Sequence, residues 1–86
     1  MPPTSFRWSL HAIFEAQRRG VSFETVERVV CYAQQVVKLD ARREVRQSMD
    51  SSDTLVRVII DVEQDPVVIV TVYRTSKVAK YWRPSR

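Results

Sequence analysis

The spacing of apolar residues along the chain changes period once, near Ala33, and the change separates a helical N-terminal part from a strand-rich remainder. Behind Ser9, a residue type that caps helices, Leu10, Ile13 and Phe14 recur at i, i+3 and i+4. This spacing predicts a first helix with a narrow apolar stripe, ending near Gly20. Gly20 is the only glycine and suits a helix-terminating position with positive φ. Ser22 opens a second helix, in which Phe23, Val26, Val30 and Ala33 form the apolar face and Glu24 stands four residues before Arg28. The two helices are expected to form a hairpin.

Beyond Ala33 the period becomes two. Val37 and Leu39 alternate with Lys38 and Asp40, and Val45, Gln47 and Met49 form a second short alternation. Asp50-Ser51-Ser52-Asp53 has the chemistry of a turn, and the strongest strand signals follow at Leu55–Val62 and Val67–Tyr73. Glu63-Gln64-Asp65-Pro66 would join these two as a hairpin. The expected fold is therefore α+β, with an N-terminal helical hairpin on a four-stranded, mostly antiparallel sheet. Val56, Val58, Ile60 and Val62 are expected to face the helices together with Val68, Val70 and Val72. Arg57, Thr71 and Tyr73 would then share the second face, left open for a ligand.

Length restricts the organisation to one domain over residues 1–86, with residues 1–5 and 83–86 expected to be loose ends. With 44% hydrophobic residues the chain can build a core, but a thin one, which makes a homodimer or another partner a source of stability. Cys31 is the only cysteine, so no internal disulfide can form, and it is expected to be a buried thiol in a reducing compartment. No stretch reaches the roughly 20 apolar residues of a membrane span, and the first residues lack the apolar segment of a secretory signal. The expectation is a cytoplasmic protein with no membrane partner.

The net charge is +4, and it is unevenly placed. Arg74, Lys77, Lys80, Arg83 and Arg86 follow Pro66 with no acidic residue among them, and Tyr73, Tyr81 and Trp82 lie between those charges. Cations interleaved with rings suit RNA, whose phosphates and exposed bases they can meet. The other reading is a solvated terminal strand whose rings cover one end of the core.

Candidate chemistry is sparse. His11 is the only histidine, and imidazole is the side chain from which a neutral-pH proton shuttle is most easily built. At the edge of the first helix it could equally be structural. One histidine and one cysteine do not make a metal site, and one glycine makes no phosphate loop, so no metal or cofactor is expected. Metal-independent cleavage of RNA remains, because the substrate brings its own nucleophile, the 2′-OH. His11, Tyr73 and an arginine could provide the base, the acid and the cation that such a reaction needs.

His11-Ala12, Arg19-Gly20-Val21-Ser22, Glu24 and Val26 resemble the HAxxRxxxRGIsxexV opening of a bacterial family of small uncharacterised domains. Leu55–Asp61 resembles that family's lRVvvd strand, and Val68–Tyr73 its viVvTvY strand. Members of the family are similar to the RelE/ParE and BrnT-like toxin class. The resemblance implies a RelE-like fold and a toxin-like endoribonuclease of a toxin–antitoxin system, acting on RNA or at the ribosome and held by an acidic antitoxin protein. It points to His11, Arg19, Arg57, Thr71 and Tyr73 as site positions, to which the tail adds Arg74, Lys77, Lys80, Tyr81 and Trp82 for RNA binding. In this chain Glu15 stands where the motif has its first arginine. The alternative is a non-catalytic module that binds nucleic acid or a protein. Taken singly, Arg19 could serve a helix end, Arg57 could pair with Asp61 or a neighbouring strand, Tyr73 could be a core ring, and Thr71 an ordinary strand residue.

Overall fold

A computed structural model describes residues 5–51 and 53–84 of the chain. The order of elements is β1 (Phe6–Trp8), α1 (Leu10–Arg18), α2 (Phe23–Tyr32), β2 (Gln35–Lys38), β3 (Arg43–Ser51), β4 (Thr54–Asp61), β5 (Val67–Thr75) and α3 (Val78–Tyr81). They form an α+β fold around one five-stranded sheet with strand order β1-β5-β4-β3-β2. The strands from β2 to β5 run as an antiparallel meander, while β1 joins β5 in parallel through Phe6↔Val67, Arg7↔Val68 and Trp8↔Ile69. The four expected strands are present. The fifth, β1, escapes a periodicity argument because three residues cannot display an alternation, and its partner lies some sixty residues away. Of the expected loose ends, 1–4, 85 and 86 lie outside the described residues. Arg83 is tied by its backbone to Gln35, through N to Oε1 at 3.0 Å and O to Nε2 at 2.7 Å.

Both helix starts follow from the chemistry of their caps. Ser9 Oγ accepts from the Ala12 N–H at 3.0 Å, and Ser22 Oγ accepts from the Thr25 N–H at 3.1 Å, satisfying donors that a helix N-terminus leaves free. Gly20, at φ 67°, turns the chain between the helices in the left-handed region. α1 then packs on β5, and α2 on β4 and β3. Glu24 and Arg28 are both exposed, and no ion pair joins them among the described residues.

The apolar stripe of α1 is oriented differently from the sequence expectation. Leu10 and Phe14 are 85% and 59% exposed, whereas Ala12, Glu15 and Ala16 are buried. The rotation of the helix is set at its first residue. The Ser9 N–H donates to Ile69 O and its Oγ–H to Val70 O, both at 3.0 Å, so the capping residue is bonded to β5. With the helix held this close, positions 12 and 16 meet the sheet and only small side chains fit there. Ala16→Leu is therefore expected to lower stability by about 1–3 kcal/mol, read as a shift in the denaturant midpoint, while Leu10→Ser should be near neutral.

The core between helices and sheet joins Ala12, Ala16, Val26, Val29 and Val30 to Val56, Val58, Ile60, Ile69 and Val72, with Phe6, Trp8, Ala33 and Val62 packed around it. The β4 face is the expected one. On β5, Val68, Val70 and Val72 do not share it, because the register shifts where Ile59 pairs with Thr71 and Ile60 with Ile69. Val70 is the extra residue, and the shift brings Ile69 to the same side as Val72. Phe23 is exposed at 44% and stacks on Trp8, with centroids 4.8 Å apart. Cys31 is half-buried rather than enclosed.

Candidate nucleic-acid interface

On the sheet face opposite the helices, pairing aligns polar side chains from four strands. Gln35 pairs with Gln47, Gln47 with Arg57, and Arg57 with Tyr73, so one row crosses β2, β3, β4 and β5. Side chains directly opposite in neighbouring strands are in reach of each other, and here they are bonded. Arg57 Nε donates to Gln47 Oε1 at 2.8 Å, and Arg57 Nη1 donates to the Tyr73 hydroxyl oxygen. Gln47 Nε2 donates to Gln35 Oε1 at 2.8 Å and to the Tyr81 carbonyl at 3.2 Å. Gln47 is 0% and Arg57 8% exposed.

This second face is not open at Arg57, contrary to the sequence expectation. After Thr75 the chain turns back, and α3 lays Tyr81 over the row with its ring centroid 4.1 Å from Arg57 Cζ. Tyr73 and Tyr81 meet edge to face at 6.3 Å, and Lys80 Nζ lies 5.2 Å from the Tyr81 ring. Of the basic tail, Arg74 lies in β5, Lys80 lies in the short helix α3 with Lys77 and Arg83 beside it, and Arg86 lies outside the described residues. Thr71 is half-buried beside Ile59 on the same face as Tyr73. Lys77 and Lys80 are exposed and Trp82 is half-buried.

Arg19 arrives from the end of α1, with Cζ 6.0 Å from the Tyr73 ring. Its direction is set by Glu15. Glu15 Oε1 accepts from Arg19 Nε at 3.0 Å and from Arg18 Nη2 at 3.1 Å, while Oε2 accepts from Arg18 Nε at 3.1 Å. Arg74 Nη2 bonds the Arg19 carbonyl at 3.2 Å, and its Nη1 bonds Asp50 at 3.1 Å. The glutamate at the motif's arginine position therefore consumes part of the local positive charge and also fixes one arginine beside Tyr73.

Hydrogen bonds from Arg18 and then Arg19 lower the Glu15 pKa to about 2. The Arg42 guanidinium, followed by the Glu63 N–H, holds Asp61 below the usual carboxylate range, and the Arg42 and Arg43 N–H groups do the same for Asp40. A carboxyl group lowered on folding contributes stability above its unfolded value, and that contribution is lost as pH falls towards the folded one. Unfolding should accordingly become easier from near pH 4.5, the ordinary value for Glu15, downwards to about 2. Glu15→Gln should flatten this acid dependence, measurable as denaturant midpoints at pH 2.5, 4.5 and 7; equal slopes in both proteins would contradict the clamp.

His11 stands apart from the row. It is exposed, one turn before Glu15 on the same stripe of α1, and eight helical residues, a rise of about 12 Å, before Arg19. Of the sequence candidates, the structure brings together Arg19, Arg57, Tyr73, Lys80 and Tyr81, and leaves His11 outside them. The sequence reading missed Gln35 and Gln47. The available signal was Gln47 itself, a polar residue at an inward position of an otherwise apolar strand pattern.

Among the described residues no three of His, Cys, Asp and Glu converge as a metal site, and no helix is long and apolar enough to cross a membrane.

Fold and site define a small α+β domain whose sheet carries, opposite its helices, a row of amide, guanidinium and phenol groups, buried at Gln47 and Arg57 and rimmed by cations. The chain belongs to the DUF4258 family of domains of unknown function, which it matches over residues 8–74. No curated protein and no solved structure matches it.

Proposed function

We propose that this chain binds single-stranded RNA at the Arg19–Tyr73–Arg57 cluster and acts as a toxin-like, metal-independent endoribonuclease. The observation that carries the reading is the Arg57–Tyr73 hydrogen bond. The guanidinium occupies a lone pair of the phenol oxygen, which leaves the O–H free to donate outwards, with Arg19 alongside to attract a phosphate. In the reaction, the 2′-oxygen of one nucleotide attacks the adjacent phosphorus and the bond to the 5′-oxygen breaks. His11, the sequence candidate for the base, stands outside the cluster, so the 2′-OH proton passes to solvent, and Tyr73 gives its proton to the departing 5′-oxygen. Arg19 and Arg57 offset the charge that develops on the phosphate. The products are a 2′,3′-cyclic phosphate and a 5′-hydroxyl. A cytoplasmic setting, an acidic antitoxin protein and RelE-like relatives belong to the same proposal.

Binding is tested by salt titration with a fluorescent r(U)10 probe. Contacts from Arg19, Lys77, Lys80 and Arg83 to three or four phosphates give a slope of log K against log salt of about −2 to −3 on a single strand. A slope near zero would remove RNA as the ligand. The second reading, binding without cleavage, is favoured by the enclosure of Arg57 under Tyr81 and by the separation of His11 from the row. Salt-dependent binding with intact RNA after prolonged incubation would establish it.

A further inference from the structure

The buried row contains more polar machinery than phosphate binding uses. Gln47 is fully enclosed yet makes three side-chain hydrogen bonds, and Arg57 is fixed between Gln47, Tyr73 and a ring. Phosphates need cations at a surface, whereas an amide and a guanidinium at fixed positions on a sheet face are groups that read the edge and stack on the plane of a base. What meets them in this structure is Tyr81. Its ring lies flat enough against Arg57 for a 4.1 Å approach of Cζ to the centroid, and its carbonyl accepts from Gln47 Nε2. A nucleobase offers the same two features, a π face and a carbonyl or ring-nitrogen acceptor.

α3 is also weakly anchored. It has four residues, none of them buried, and no side chain caps its N-terminus. Beyond its own turns it is held by the Tyr81 ring against Arg57 and Tyr73, by Gln47 at Tyr81 O and by Gln35 at both backbone groups of Arg83. The Tyr81 ring covers the Arg57 plane, so a ligand that stacks on that plane takes the place of Tyr81.

We infer that Gln47 and the plane of Arg57 form a nucleobase subsite, and that the ring and carbonyl of Tyr81 fill it in the free protein. The inference rests on the RNA reading and adds to it a base-recognising site beside the phosphate that Arg19 and the Tyr73 hydroxyl meet, and what must move first. Gln35 is the latch, since it ties the segment after α3 to β2. A site that is closed most of the time has an apparent affinity reduced by its open fraction.

The test compares wild type, Gln35→Ala and Tyr81→Ala, using fluorescence anisotropy with labelled r(U)10 and r(A)10 and, in competition, inorganic polyphosphate, which has the charges and no bases. Gln35→Ala removes no ring and no charge, so release of α3 is expected to raise affinity for at least one of the two RNAs about five- to ten-fold, with polyphosphate affinity unchanged. Tyr81→Ala should do the same by vacating the site. Equal RNA affinity in all three proteins, or a parallel gain for RNA and polyphosphate, overturns the subsite. A loss of RNA affinity in Tyr81→Ala with no change in Gln35→Ala also overturns it, because Tyr81 would then be a stacking platform rather than an occupant. Failure of the wild type to bind either polyanion counts against the RNA reading and is a separate outcome. Far-UV circular dichroism of both variants shows whether the sheet is intact, and Gln35, half-buried at the edge strand, keeps the test valid should Tyr81→Ala fail to fold.

Discussion

Tyr73→Phe is expected to reduce RNA cleavage by roughly 10²- to 10⁴-fold, the usual contribution of a positioned general acid, while leaving RNA affinity within about two-fold. The substitution keeps the ring, so its edge-to-face contact with Tyr81 and its place beside Arg19 persist. It deletes only the hydroxyl that accepts from Arg57 and donates outwards. The split between rate and binding is what distinguishes proton donation from a packing role. A core ring replaced by phenylalanine would lose little of either, and a ring needed only for binding would lose affinity and rate together. Arg57 Nη1 is left without its partner in the variant, so a modest drop in melting temperature should accompany the loss of rate.

The second large effect concerns Arg57 and separates its structural from its functional work. Arg57→Ala removes the donor to Gln47 Oε1 and leaves a fully enclosed amide oxygen unpartnered. The cost is expected to be about 1–3 kcal/mol in denaturant unfolding. Changing both partners at once, Arg57→Met with Gln47→Leu, removes the enclosed amide oxygen along with its donor, leaves only the half-buried Gln35, Tyr73 and Tyr81 groups to find water, and should recover much of that stability, because two apolar side chains of similar size can replace a buried polar pair nearly neutrally. RNA binding should not recover. If the double variant regains both stability and RNA affinity, the row is a structural network and nothing more. If it regains stability alone, the fold does not require these polar groups and the ligand does.

Legibility in the sequence followed the length and regularity of each signal. The strands around Val58 and Val72 were readable because runs of eight and seven residues, Leu55–Val62 and Val67–Tyr73, are rich enough in aliphatic side chains to show their period, and Ser9, Gly20 and Ser22 marked helix boundaries through local backbone chemistry. The orientation of α1 was not readable from its stripe. Leu10 and Phe14 are larger than Ala12 and Ala16, so apolar spacing pointed to the wrong face, whereas the bonds of Ser9 to Ile69 and Val70 decided it through a contact spanning some sixty residues. The register shift that brings Ile69 into the core has the same character, since an extra residue in one strand depends on the neighbouring strand and leaves no local mark.

The candidate site was legible in parts. Arg57, Thr71 and Tyr73 fell on one face by simple alternation, but the pairing of Arg57 with Tyr73 depends on the register shift between Ile59 and Ile60, without which Arg57 would face Val72. That Gln47 and Gln35 would continue the row, and that α3 would fold back over it, required β2, β3 and the tail to be placed in space. Glu15 shows the limit of residue-by-residue transfer. It stands where the resembling motif has a residue of opposite charge, yet in the fold it directs Arg19 towards Tyr73, and its pKa is lowered to about 2.

The central claim is that the row of side chains ending at Tyr73 cleaves RNA without a metal. Purified chain incubated with 5′-labelled single-stranded RNA in excess EDTA tests it most directly, with fragment ends resolved by phosphatase treatment. Fragments ending in 2′,3′-cyclic phosphate are expected, formed at an undiminished rate in EDTA and lost in Tyr73→Phe. Intact RNA, or cleavage that continues unchanged without the Tyr73 hydroxyl, would contradict it.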